Sequence, residues 1–408
     1  MSLMYSRRDF LAGVLATGAI SAATMYFAPG GRPLPPVGLK LVTGEDPTGA
    51  RDLLISIWNQ ANPRTTLVPD EVTGSTADQR AAMISRATSG NADILNLDII
   101  DLPYFQSKGY ITPIELRNVD EFLPATLMTS RLGDPKSTEF WAAPFNTDVG
   151  MLFDRSSANP SADDQTLTEI INTLPDRSLR FAGQLEPISS STQEAFTTNI
   201  LEHALSQNEQ ILDDEDGRPA KELELWQAAL APLRTAITKK RVTLCGSEAD
   251  TTGKFHTQKF VRYMRNWPAQ YRELQQLDNP DVKASLIRVR SLPVGILGGQ
   301  SLALVEKSTQ NSRASEFIHF ATSEAAQKIL ASHGLPATHN SAYADTDLRA
   351  FIPHLEDMKG AVEKARMRPI HPNYNAFSKA LANHTDRLLH KNADLTTQFV
   401  EDLQKALG

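Results

Sequence analysis

Between residues 39 and 100 the chain changes hydrophobic period four times, and that alternation narrows the fold more than any other feature. Residues 39–42 are a short apolar run suited to a strand. Ala50, Leu53, Leu54, Ile57, Trp58 and Ala61 then recur at helical spacing, and Asn62-Pro63 ends that helix. A second strand follows at 65–68. Thr76-Ala77-Asp78-Gln79 has the form of a capping box and opens a helix over 77–87. A third strand covers 94–100, interrupted by Asp98. A β-α-β-α-β order predicts a parallel sheet with helices on both faces. Ligands of such sheets lie outside the carboxyl ends of the strands. Glu45, Asp46, Thr76 and Asp98 fall in the loops that leave those ends, so they are candidates for a binding site.

At 408 residues the chain exceeds the roughly 250–300 that one core usually serves, so two compact units are expected. A hydrophobic share of 41% supports sizeable cores, and a net charge of −7 argues against a nucleic-acid partner. Cys245 is the single cysteine, which excludes an intramolecular disulfide and a cysteine-rich metal site. It reads as an incidental buried thiol. The nine histidines form no H-E-x-x-H pattern and there is no G-x-S-x-G elbow. Neither a cofactor nor a metal is expected.

The chain begins with a candidate leader. Ser6-Arg7-Arg8-Asp9-Phe10-Leu11 resembles the twin-arginine export motif and precedes an apolar stretch over 12–27. Small residues at Ser21 and Ala23 suit cleavage after Ala23. The apolar run from Phe10 to Phe27 also approaches the ~20 residues that span a bilayer, so an uncleaved anchor stays open. Residues 30–36 read as a Pro-rich tether.

Four later segments carry further information. Trp141 to Asp154 places Asn146 and Asp148 in an apolar stretch. Residues 155–290 read as mostly helical, with an acidic solvated loop at 213–217 that lacks calcium-loop spacing. Within them, Phe260-Val261 leads as a strand to Asn266-Trp267-Pro268, after which a helix carries Tyr271 and Leu274 on one face. From 292 to 336 a Gly298-Gly299 turn precedes a strand at 301–305. A helix with Ala314, Phe317, Ile318 and Ala321 on one face follows, then a second helix capped by Ser323 and stopped at Gly334 and Pro336. The tail holds Ala365-Arg366-Met367-Arg368-Pro369 and two amphipathic helices, 376–389 and 395–407.

These segments, in this order, resemble family 1 extracellular solute-binding proteins, which feed sugars to ABC importers. The likeness rests on Phe317, Phe320, Thr322-Ser323, Glu324-Ala325-Ala326-Gln327-Lys328 and Gly334-Leu335-Pro336. It rests also on Asn266-Trp267-Pro268, on the segment 92–114 with Gly109 and Pro113, on 144–154, and on an "ARxRP" element typical of the trehalose- and maltose-binding branch. It spans about residues 38 to 405. It implies an α/β fold of the two-lobe periplasmic-binding-protein type (type II), with a mainly parallel sheet in each lobe and a ligand cleft between them. The implied division is 1–36 as leader and tether, 37–147 plus 293–340 as lobe 1, and 148–292 plus 341–408 as lobe 2. Crossings are expected near 145–150 and 285–298, and a third after Gly334.

The same resemblance supplies candidate roles. Gly298 and Gly299 would face the ligand, with Gln300 where the family carries an aromatic. Trp267 would stack on a sugar, or else be plain core. Asn146 and Asp148 would lie at the hinge or the cleft wall, or serve only to turn the backbone. Arg366 or Arg368 would reach sugar hydroxyls, or form a surface salt bridge. The implied function is a monomeric receptor outside the cytoplasm that delivers a small solute, expected to be a saccharide, to the importer's permease subunits. With 7% aromatic residues, recognition should lean on hydrogen bonds. Two rivals remain at this stage. One is a binding module for a sensor or partner protein. The other is a glycosidase using Asp98 with Glu45 or Asp46, since such enzymes need two carboxylates roughly 5–9 Å apart.

Overall fold

The apolar run at 39–42 forms the centre of β1 (Val37–Gly44), with Leu39 and Leu41 in one buried cluster and Val42 in another. Side chains alternate across a strand, so burial at both parities means that the sheet is covered on both faces. The computed structural model describes residues 36–155, 166–172, 174, 178–213, 217–277 and 287–408. The export motif and apolar leader, part of the acidic loop at 213–217 and the start of the second expected crossing lie outside the described residues.

The strands that follow are β2 (Thr65–Val72), β3 (Ile94–Asp98), β4 (Ile111–Thr112), β5 (Ala143–Val149) and β6 (Met151–Asp154). After them come β7 (Arg180–Gly183), β8 (Val242–Leu244), β9 (Val261–Asn266), β10 (Arg288–Ser291) and β11 (Leu297–Val305). The first sheet has the order β2-β1-β3-β11-β4, with β5 paired to β11. β1 runs parallel to β2 and β3, whereas β11 is antiparallel to β3 and β4. Pro69 lies in the edge strand β2, where a missing N–H interrupts no central ladder. One face is packed by the helices Ala50–Ala61, Asn311–Ala321 and Glu324–Ser332. There Trp58 meets Phe317 edge-on at 5.4 Å between ring centroids. The other face holds Met83 and Ala87 of the helix Thr76–Ser89 together with Phe105.

The second sheet has the order β10-β6-β9-β7-β8. β7 is parallel to β8 and β9, and β6 is antiparallel to β9 and β10. The helix Gln193–Gln207 is buried along most of its length. Tyr374–His390 and Thr397–Leu407 pack beside it and the helix Leu223–Thr238, and Trp226 sits edge-on to Phe399 at 5.3 Å.

The structure departs from what the sequence predicts in several places. Each sheet is mixed, because strands that return along it run antiparallel to their neighbours. Besides β9, which the sequence reading placed, the stretch from 155 to 291 contains β7, β8 and β10, each of 3 or 4 residues, too short to display a period against the helices around them. Gly298-Gly299 is no turn but part of β11. Thr76 does not cap its helix; it is the first helical residue, and Gln79 Nε2 donates instead to the Gly74 carbonyl at 3.2 Å.

Two compact units emerge. The first takes the chain up to Gly74, Asp78–Thr147 and Gly299–Leu355; the second takes Ser75–Ala77, Asp148–Gly298 and Glu356–Gly408. Apart from the short excursion at Ser75–Ala77, the chain passes between them inside β5, inside β11 and after Leu355. The helices Asn340–Ala344 and Thr346–Phe351, expected in the second lobe, belong to the first unit because they pack on Glu324–Ser332. No helix among the described residues is long and apolar enough to cross a membrane.

Candidate functional site

In the first unit the parallel strands β1, β2 and β3 end at Gly44, Val72 and Asp98, so their outgoing loops gather at one edge. Glu45 is exposed there. Asp46 is held by its own loop: Oδ1 accepts from the Thr48 N–H at 2.9 Å and Oδ2 from the Arg51 N–H at 2.8 Å. Its carboxylate thus anchors the start of the helix Ala50–Ala61. Thr76 is exposed at the start of the helix after β2 and is assigned to the second unit. Asp98 is half-buried, accepts from the Ile100 N–H at 3.2 Å and lies in register with Gln300 on β11. Behind this edge Asn96 donates to Gln300 Oε1 at 2.7 Å and to Thr43 Oγ1 at 3.1 Å. Thr43 in turn accepts from Arg51, which pairs with Glu71.

Gly299 owes its identity to the backbone. Its φ is +124°, and a Cβ there would lie 2.4 Å from the Asn146 carbonyl oxygen and 2.6 Å from Thr147 Cα. Asn146 itself is buried in β5. Gly299 is therefore explained by the close approach of β5 to β11, while the Asn146 side chain donates through Nδ2 to the Thr147 carbonyl at 3.5 Å.

In the second unit β7, β8 and β9 are parallel and end together. β9 delivers Trp267 to that edge, half-buried, just before the helix Ala269–Gln276 begins behind Pro268. Its ring is fixed on two sides. Nε1 donates to Glu248 Oε1 at 3.2 Å, and the Arg265 guanidinium lies 3.9 Å from the ring centroid. Arg265 is fully buried and pairs with Glu202 through Nε at 2.6 Å and Nη2 at 2.8 Å. Gly150 leaves room for this pair, since a Cβ there would sit 2.2 Å from Glu202 Oε1. Beside it His203 is held near pKa 3 by burial, assisted by the Arg265 charge, so it stays neutral. The Gly298 Cβ position lies 3.4 Å from Asp148 Cβ and 3.5 Å from the Trp267 ring, which brings Gly298, Asp148 and Trp267 into one cluster.

The two tail arginines have protein partners. Arg368 is 6% exposed; it pairs with Glu194 at 2.7 Å and donates to the Leu297 carbonyl at 3.2 Å. Arg366 donates to the carbonyls of Leu212 at 2.7 Å and Glu209 at 3.3 Å. The Arg368 pair is buried, so it is not the surface salt bridge that served as its alternative.

Sequence reasoning missed Arg51, Asn96, Glu202, Glu248 and Arg265. Two had a readable signal. Arg51 falls on the helix stripe shared with Leu54, Ile55 and Trp58, and Arg265 interrupts an apolar strand after Tyr263-Met264. A charge at an apolar position needs a buried partner.

Residues 58–350 match the model of the bacterial extracellular solute-binding protein family. The chain belongs to that family, and it is a solute-binding protein. Three solved structures have a similar fold. Maltose-bound MalE3 of T. maritima is 20% identical, with 91% of this chain and 98% of that one covered at a TM-score of 0.77. An ABC transporter solute-binding protein of Thermotoga lettingae TMO, bound with α-D-tagatose, is 17% identical, with 91% and 100% covered at 0.73. One of Agrobacterium radiobacter K84, in complex with ribitol, is 19% identical, with 92% and 98% covered at 0.68. All three are binding proteins, as is the family. Among the described residues no group of three or more His, Cys, Asp or Glu side chains could hold a metal ion.

Proposed function

We propose that the chain is an exported receptor that takes up a saccharide and hands it to the permease subunits of an ABC importer. The observation that carries the saccharide is Trp267. It is a half-buried aromatic at the carboxyl end of β9, locked by Arg265 behind and Glu248 at its rim, with Asp148 beside it. An aromatic ring held rigid next to carboxylates offers a sugar an apolar surface and acceptors for its hydroxyls. Asp98 and Glu45 offer acceptors at the strand ends of the first unit. The family and the ligands of the similar structures support a polyhydroxylated solute and an importer partner. No catalytic step is part of this reading. Asp46, one of the two alternatives to partner Asp98 in a glycosidase, is engaged by its own loop. Export by the route read from Arg7-Arg8 belongs to the same proposal.

Native mass spectrometry of the purified chain tests it. The expected result is a bound species of saccharide mass, displaced by added maltose or α-D-tagatose, or else direct binding of one of these in titration. An amino acid, peptide or metal as the sole bound species would overturn the saccharide.

A further inference from the structure

We infer that Gln300 meets the solute as a hydrogen-bond donor, its amide turned by a chain of contacts that starts at Arg51. This rests on the receptor reading above and adds to it the polarity of one contact. A side-chain amide can present either its carbonyl or its NH2, which have similar shapes and opposite chemistry. The contacts behind Gln300 decide which.

Arg51 can only donate. Its Nη1 donates to Thr43 Oγ1 and to the Gly44 carbonyl, each at 2.7 Å. The hydroxyl hydrogen of Thr43 goes to the same Gly44 carbonyl at 3.2 Å. Thr43 Oγ1 therefore offers a lone pair to its remaining neighbour, and Asn96 Nδ2 donates to it at 3.1 Å. The second hydrogen of that NH2 goes to Gln300 Oε1 at 2.7 Å. Asn96 is 1% exposed, and its Oδ1 is buried without a partner. Turning the Asn96 amide over would place two hydrogens where one oxygen now lies, with no acceptor to receive them. Buried orphan N–H groups are rarer than under-satisfied carbonyls because they cost more. Gln300 therefore accepts from behind, and its Nε2 hydrogens point away from Asn96.

The register sets Gln300 opposite Asp98 at the carboxyl end of β3. Asp98 and Glu45, as carboxylates, only accept, so Gln300 is the complementary donor at that edge. The solute must bring it an acceptor oxygen. The ring or glycosidic oxygen of a cyclic saccharide accepts only, whereas a polyol hydroxyl can turn round and donate. All of these oxygens can accept from Gln300, and only an acceptor placed there, as in Gln300→Glu, would disfavour the ring or glycosidic oxygen; Asn96 acts as a positioning residue behind Gln300.

Amide exchange and titration test the two halves separately. In the 15N-labelled wild type, the Gln300 side-chain NH2 should exchange quickly with solvent while the Asn96 NH2 is protected. Asn96→Asp presents an acceptor-only group to Gln300, so the Gln300 NH2 should turn inward and become protected. Gln300→Glu keeps the hydrogen bond from Asn96 but removes the outward hydrogens. It should bind maltose about tenfold more weakly while ribitol binding holds within about twofold. A protected Gln300 NH2 in the wild type overturns the orientation, whether or not Asn96→Asp folds. Unchanged maltose affinity in Gln300→Glu, where the wild type binds maltose, overturns the contact. A wild type that binds neither probe counts against the receptor reading, while the exchange rates still decide the orientation.

Discussion

Arg265 and Glu202 carry opposite charges with no exposure at all, and the cost of burying either one alone governs what their substitution does. Glu202→Ala would leave a buried guanidinium without its carboxylate. It should destabilise the second unit by about 3–5 kcal/mol in urea unfolding. His203, beside the pair, sets a pH dependence. Burial, with help from Arg265, holds it at about 3, and burial holds His354 at about 4. Each titrates near 6.5 when unfolded. Below that pH the unfolded chain takes up protons that the fold refuses. Stability is therefore whole above about pH 6.5 and falls as pH drops toward 4, by about 1.4 kcal/mol per pH unit for each histidine. Unfolding midpoints between pH 7 and pH 4.5 check this, and His203→Leu should flatten the slope. Trp267 was legible as a candidate because Asn-Trp-Pro marks a strand-to-helix junction. Its partners Arg265 and Glu248 were not, because contacts between separate elements leave no local pattern.

At the scale of elements, β5 and β11 run so close that one position admits only glycine. Gly299→Ala combines a φ of +124° with a Cβ 2.4 Å from a backbone oxygen. It should cost at least about 2 kcal/mol in chemical unfolding. A neutral substitution would mean that β11 can shift away from β5. The glycines read as a turn from sequence because a Gly-Gly pair carries no record of what it approaches. Long periodic elements were readable: the Ala50–Ala61 helix, the Ser323 cap, whose side chain accepts from the Ala326 N–H, and the two C-terminal helices all lie where periodicity put them. β7, β8 and β10 were not, because three or four residues cannot establish a period. The antiparallel pairings of β11 in the first sheet and of β6 in the second make both sheets mixed where mainly parallel ones were expected.

At the scale of the whole molecule, length alone implied two units, and the order of motifs implied that the chain passes back and forth between them. The return after Leu355 was not legible, because only packing against Glu324–Ser332 assigns the helices before it. Replacing Arg7 and Arg8 by lysine should retain the precursor in the cytoplasm, and fractionation of cells expressing it would tell; unchanged export would contradict that route. A solute at about 100 times its Kd should stabilise the chain by about 2.7 kcal/mol, seen as a raised Tm. The central proposal is that Trp267 and Asp98 each contribute to recognition of the solute. Calorimetric titration of the wild type, Trp267→Ala and Asp98→Asn with the co-purifying solute tests it most directly. The account predicts folded variants, with a loss of about 2 kcal/mol or more for Trp267→Ala, roughly thirtyfold in Kd, and about tenfold for Asp98→Asn. Wild-type affinity in both variants would contradict it.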